Sequence, residues 1–173
     1  MTSRTSLRKP DAGRPPGTAR TDCTGAVHGS LLAASVVAGA STSGPYPRLQ
    51  LVLLLLCTGI VFWAAHAYSA VVGHLLPHEP LTWPEIRRVC AHEWPIAQAS
   101  GPPAAAVAIS PLLGLGLEGT AWLALGVAVV QQVAWASAGV LRAGASRRAV
   151  VFAGAVNLAL GLVIVAAKAA IQH

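Results

Sequence analysis

Charged residues are scarce in this chain of 173 residues, at 10% against 54% hydrophobic residues. A soluble domain carries roughly 25% charged residues, so this composition argues strongly against a soluble globular fold. The high apolar content argues equally against a disordered chain. Aromatic residues make up only 5%, and the apolar residues, dominated by Ala, Val, Leu and Gly, gather in long runs. These features predict an all-α, polytopic membrane helix bundle.

Acidic residues are also few, and all six lie outside the apolar runs. A carboxylate inside the bilayer is the usual component of a proton relay or a cation pathway. Their position argues against a carboxylate-lined cation carrier and against a carboxylate acid–base pair at membrane depth. The three cysteines, Cys23, Cys57 and Cys90, form no Cys-x-x-Cys pair and predict neither a disulfide framework nor a zinc site.

Five apolar runs predict five transmembrane helices within a domain of residues 24–173. The predicted spans cover about residues 24–40, 49–76, 96–117, 120–141 and 149–170. Residues 1–23 form a basic tail with prolines and glycines, which we predict to be disordered and cytoplasmic. The first run is short and ends in small residues, so a cleaved signal peptide is the alternative to a retained helix.

The third run contains Pro102, Pro103 and Pro111. These prolines predict a kink whose freed carbonyls are satisfied by neighbouring helices. The alternative is an unwound segment whose backbone groups bind a ligand, as in many transporters.

The connection before the third span has the pattern of an interfacial amphipathic helix. Thr82 and Glu85 have the spacing of a capping box, and apolar residues then recur at helical spacing over residues 86–96. We expect this short helix to lie on the membrane surface, with Trp83 and Trp94 at headgroup level.

The net charge of +6 has a topological explanation rather than a nucleic-acid one, because the basic residues lie in the tail and in short loops. With five spans, five basic residues of the tail, two of the second connection and three of the fourth fall on one side. Only Arg48 and Lys168 fall on the other side. The positive-inside rule then predicts a multi-pass protein of the cell (inner) membrane with a cytoplasmic N-terminus.

Four polar side chains inside the spans are the candidate site: His66, Gln131, Gln132 and Asn157. Their predicted depths agree within roughly one helical turn, so we expect them to face one another. The functional interpretation is a polar midplane site with His66 as proton acceptor or ligand. The structural interpretation is hydrogen bonding that only holds the bundle together. We expect Lys168 to extend its ammonium to the outer surface.

The remaining histidines suggest a metal site as an alternative. His28, His74, His78 and His92 map to the cytoplasmic boundary, with Glu93 nearby. Imidazole and carboxylate groups bind transition metals, but these residues have no fixed metal-ligand spacing. The sequence therefore predicts no metal and no cofactor.

Three stretches carry a family resemblance: residues 62–68 (FWAAHAY), 92–95 (HEWP) and 157–168 (NLALGLVIVAAK). Over residues 25–173 the chain resembles a family of small uncharacterised integral membrane proteins of high-GC bacteria. The resemblance implies an all-helical membrane protein and brings no assigned activity or catalytic residue.

The expected function is that of a non-enzymatic membrane component or accessory subunit. Its expected partners are the lipid bilayer and a second copy or another membrane protein, without nucleic acid. The alternative is a small transporter or channel-like protein with a polar midplane site around His66.

Overall fold

The computed structural model describes residues 18–40, 45–75 and 82–172, and no strand occurs in these ranges. The chain is a helical bundle, as the composition predicts. In order, the helices are α1 (Thr18–Gly39), α2 (Pro47–Leu75), α3 (Trp83–Gln98), α4 (Gly101–Ile109) with a following 3-10 helix (Ser110–Leu113), α5 (Leu117–Arg142) and α6 (Arg147–Gln172).

Among the described residues, three helices are long and apolar enough to cross a membrane. The membrane-length segments are Pro47–Gly73 of α2, Leu117–Arg142 of α5 and Arg147–Ala170 of α6. They correspond to the second, fourth and fifth predicted spans. The apolar part of α1, Cys23–Gly39, is shorter.

Helix α1 lies at the centre of the bundle and contacts α2, α3, α5 and α6. Small side chains make this possible, since Ala26 and Ala34 are completely buried. At Gly29, an added Cβ would lie 2.6 Å from the Ile96 carbonyl oxygen, so only glycine allows this approach of α3. The helix begins at Thr18 rather than at residue 24, so residues 18–23 are helical and correct the predicted extent of the tail. Residues 1–17 of that tail lie outside the described ranges.

The third predicted span, 96–117, is not one continuous helix. Helix α3 extends through its start to Gln98, and α4 and the 3-10 helix supply the rest. At the junction, Ala99 (φ −65°, ψ −20°) and Ser100 (φ −80°, ψ −18°) keep right-handed helical dihedral angles. The backbone therefore bends at this junction rather than unwinds. The bend arises because Pro102 and Pro103 have no N–H to continue the helical hydrogen bonds.

Helix α3 has the predicted capping box at its start. The backbone N–H and the hydroxyl of Thr82 both donate to Glu85 Oε2, at 2.8 Å. The first turns of α3 are exposed, whereas Ile96 near its end is 1% exposed between α1 and α2. The indole N–H of Trp63 in α2 donates to the Cys90 carbonyl at 2.9 Å, which ties α2 to the middle of α3.

Candidate functional site

The best-defined polar contact joins α5 to α6. Gln132 is completely buried, and its Nε2 donates to the backbone oxygen of Asn157 at 3.0 Å and to its Oδ1 at 3.2 Å. Asn157 Nδ2 donates to Ala153 of its own helix at 2.9 Å. Glycines bring the helices this close, because an added Cβ at Gly161 would lie 2.7 Å from a methyl of Val129. Gln132 and Asn157 therefore meet as their predicted depths require.

The neighbouring Gln131 performs a different task, at the kink between α3 and α4. Its Nε2 donates to the Ala99 carbonyl at 3.1 Å. That carbonyl has lost its helical partner four residues on, since Pro103 has no N–H. A side chain of α5 thus satisfies the acceptor that the proline frees. This supports the predicted kink over an unwound ligand site.

Both glutamines leave one amide oxygen without a donor. Gln131 Oε1 and Gln132 Oε1 are buried and have no hydrogen-bond partner in the described part of the chain. A buried acceptor without a donor costs about 1–3 kcal/mol. These two atoms are the unsatisfied polar groups of the predicted site.

His66 does not join this group. It is exposed on α2, and its Nδ1 lies 3.0 Å from the Phe62 carbonyl of the same helix. The side of α2 that faces the bundle is formed by a row of residues spaced four positions apart: Leu51, Leu55, Gly59, Trp63 and Ala67. His66 lies outside this row. The prediction that all four polar side chains face one another is therefore wrong for His66 and also for Gln131, whose amide bonds to Ala99 instead.

Lys168 is buried rather than extended to the surface. Only 5% of the residue is exposed, and its Nζ lies 5.9 Å from the ring centroid of Trp122 in α5. An ammonium near an indole face is attracted by the electron-rich ring. The expectation that Lys168 extends to the outer surface is therefore wrong. Its side chain instead forms a contact between α6 and α5.

A buried hydroxyl pair was missed by the sequence analysis. Thr120 Oγ1 and Ser110 Oγ lie 2.8 Å apart, and both residues are at most 2% exposed. The pair connects the start of α5 to the 3-10 helix. Serine and threonine are common in apolar helices, so nothing in the sequence marks these two as partners.

The histidines at the predicted cytoplasmic boundary do not form a metal site in the described ranges. His28 is exposed, and its Nδ1 lies 3.2 Å from the Thr24 carbonyl. His92 and Glu93 lie half-buried on α3. His78 and the side chain of His74 lie outside the described part. No group of three His, Cys, Asp or Glu residues suited to a metal ion occurs among the residues that the structure describes.

No family model, no curated protein and no solved structure matches the chain. The polar layer consists of the side chains of Gln131, Gln132 and Asn157 and of the hydroxyl pair Ser110 and Thr120. Carboxamides and hydroxyls donate and accept hydrogen bonds, but they carry no charge and do not titrate near neutral pH. Such groups can join helices or bind a neutral or cationic ligand.

Proposed function

We propose that this chain is an integral membrane protein without catalytic activity, acting as a structural or accessory subunit. The contact of Gln132 with Asn157 carries the proposal, because it uses the largest fully buried polar side chain of the described residues to join two helices. Interhelical hydrogen bonds of this kind are worth about 0.6–2 kcal/mol in a membrane. The polar layer is then part of the packing of the bundle.

Five membrane crossings with a cytoplasmic N-terminus are part of this proposal. The apolar segment Cys23–Gly39 has 17 residues, the lower limit for a crossing. The last residues of α3, together with α4 and the 3-10 helix, would supply the third crossing. Arg142 Nη1 lies 3.7 Å from Cys23 Sγ, so the end of α5 and the start of α1 are neighbours. This supports the grouping of most basic residues at one end.

The exposed surface is consistent with lipid and protein partners. Large apolar side chains are exposed along α2 and α6, among them Val61, Tyr68, Phe152 and Val163. Inside a bilayer these side chains contact lipid or another helix. The resemblance to small integral membrane proteins of high-GC bacteria supports the same class of protein, in the inner membrane of a bacterium.

A small transporter or channel-like protein is the second candidate. The observation that favours it is the pair of unsatisfied oxygens, Gln131 Oε1 and Gln132 Oε1. A cation or a solute with N–H or O–H donors would satisfy them. His66, the centre of this candidate in the sequence, is exposed on α2 and would not contribute.

A ligand screen by thermal stability separates the two candidates. The detergent-purified full chain is heated with Na⁺, K⁺, Mg²⁺, Zn²⁺, haem or amino acids, beside the Gln132→Met and His66→Ala variants. A subunit of structural type shows no ligand-dependent rise in Tm, and Gln132→Met lowers Tm. A rise in the parent protein that Gln132→Met abolishes and His66→Ala retains would replace the first candidate by the second. A ligand at 100 times its Kd adds about 2.7 kcal/mol, which is readily measured.

A further inference from the structure

A groove of about 230 Å³ lies between the start of α1 and the end of α5. Its lining includes Cys23, Val27, Trp135, Val140 and Ala143. The two helices touch at its base, where an added Cβ at Gly139 would lie 2.9 Å from the Cys23 Cβ. Apart from Cys23 and Thr24, the residues that line the groove are all apolar or glycine.

The rim of the groove is cationic. Arg142, the last residue of α5, is exposed and reaches across to within 3.7 Å of the Cys23 sulfur. A tight turn with Gly144 at φ +71° then leads to the exposed Arg147 and Arg148 at the start of α6. None of the described residues that line the groove is acidic. Three arginines therefore lie within seven positions of one another in the chain, and Arg142 among them contacts the groove lining at Cys23.

Apolar walls and a cationic rim match an amphiphile with a negative head. A soluble anion would use the rim and leave the walls of Val27 and Val140 without a partner. A neutral acyl chain would use the walls and leave Arg142 without one. Trp135 fits the same occupant, since tryptophan concentrates at the level of lipid headgroups.

We propose that this groove binds an anionic phospholipid, with its phosphate at Arg142 and an acyl chain against Val27, Trp135 and Val140. The inference rests on the proposed insertion into a membrane, which brings this end of the bundle to the headgroup region. Each basic residue near an anionic surface strengthens binding by about fivefold. The loss of lipid binding on removal of Arg142 alone should then be measurable.

Native mass spectrometry of the full chain tests the proposal. The detergent-purified protein is titrated with phosphatidylglycerol or phosphatidylcholine of identical acyl chains. We expect at least fivefold preference for phosphatidylglycerol, and a loss of about fivefold in its binding in Arg142→Gln. Ala143→Phe, which keeps the charge and fills the groove from an exposed position, should also lower phosphatidylglycerol binding. Circular dichroism checks that each variant keeps its helix content.

The matched control removes two exposed arginines of α3, in the Arg87→Gln/Arg88→Gln variant. We expect its phosphatidylglycerol binding to stay within twofold of the parent protein. Equal binding of the two lipids, or an equal loss in the control and in Arg142→Gln, would overturn the groove proposal. Membrane fractionation of the expressing cells separates the two proposals. A membrane-bound chain without lipid preference refutes the groove alone, whereas a chain in the soluble fraction refutes the insertion on which it rests.

Discussion

Helix α6 is strongly apolar but mostly exposed, whereas helix α1 carries polar residues but is deeply buried. In α6 the most apolar window of the segment Arg147–Ala170 has a mean hydropathy of 2.5, the highest among the three membrane-length segments, yet only 6% of that window is buried. In α1 the apolar segment is shorter, and a serine, Ser30, is completely buried beside Ala26 and Ala34. The most apolar helix is therefore on the outside of the bundle.

This difference follows from what each helix contacts. Helix α1 packs against four helices, so its residues are selected for small size and close fit. Helix α6 packs mainly against α5, and most of the rest of its surface is exposed. In the proposed membrane insertion this exposed surface contacts lipid. Since lipid tails are as apolar as leucine, helices associate in a membrane through packing and hydrogen bonds rather than through hydrophobicity. Changes in α1 should therefore cost more stability than equal changes on lipid-facing positions.

The largest expected effect is the substitution Gly29→Leu in α1. An added Cβ would lie 2.6 Å from the Ile96 carbonyl oxygen and 2.7 Å from the Ala99 Cβ, so α3 must move. We expect a loss of about 3 kcal/mol in the free energy of unfolding, measured by SDS titration in mixed micelles. The control is Gly126→Leu in α5, where an added Cβ meets nothing within 4 Å. Equal stability of the two variants would contradict the central position of α1.

Two valine truncations make the comparison with identical chemistry. Val37 in α1 is 1% exposed, and Val163 in α6 is 66% exposed. We expect Val37→Ala to cost about 1–2 kcal/mol, because the removed methyls leave a cavity among packed helices. Val163→Ala should change stability by less than about 0.5 kcal/mol, since detergent or lipid fills the space. A larger loss at Val163, in the same unfolding titration, would show that α6 is covered by another chain.

The polar contact of α6 gives a smaller effect. Asn157→Leu keeps the approximate size and removes the Oδ1 acceptor of Gln132 Nε2. We expect a loss of about 1 kcal/mol in unfolding free energy. The control is Ser69→Ala on α2, whose exposed hydroxyl donates only to Ala65 of its own helix. If Asn157→Leu were as stable as this control, the contact would not hold α6 in place.

The smallest effect concerns Lys168 and Trp122. A double-mutant cycle with Lys168→Met and Trp122→Leu should give a coupling energy of about 0.5–1 kcal/mol in favour of the pair. A second cycle combines Lys168→Met with Trp135→Leu, a tryptophan that lines the groove beside Cys23. This second coupling should be near zero. Equal coupling in both cycles would argue against a direct contact of Lys168 with Trp122.

Much of the helical framework could be predicted from the sequence. The long apolar runs identify α2, α5 and α6, because an apolar run of this length is typical of a helix that crosses the hydrocarbon core of a bilayer. The Thr82 and Glu85 spacing identifies the start of α3, since capping depends on local residues alone. Depth along the helices brings Gln132 and Asn157 to the same level, because the rise per residue is constant.

The direction in which each side chain points could not be predicted in the same way. His66 lies on the exposed side of α2, whereas Gln131 turns to the carbonyl freed by Pro103. In an amphipathic helix the polar side identifies the surface. In an all-apolar helix both sides are apolar, so the pattern does not distinguish lipid from protein neighbours. Lys168 was wrongly expected at the surface for the same reason.

The sequence by itself therefore determined the all-helical class, the three long apolar helices, the proline kink and the common level of Gln132 and Asn157. These properties depend on composition and on spacing along one helix. Only the tertiary structure decided that α1 is central, that Gln132 meets Asn157 while His66 does not, and that Arg142 lies at the rim of a groove beside Cys23. These properties depend on how each helix is rotated about its axis, and that rotation is set by small side chains packing between helices.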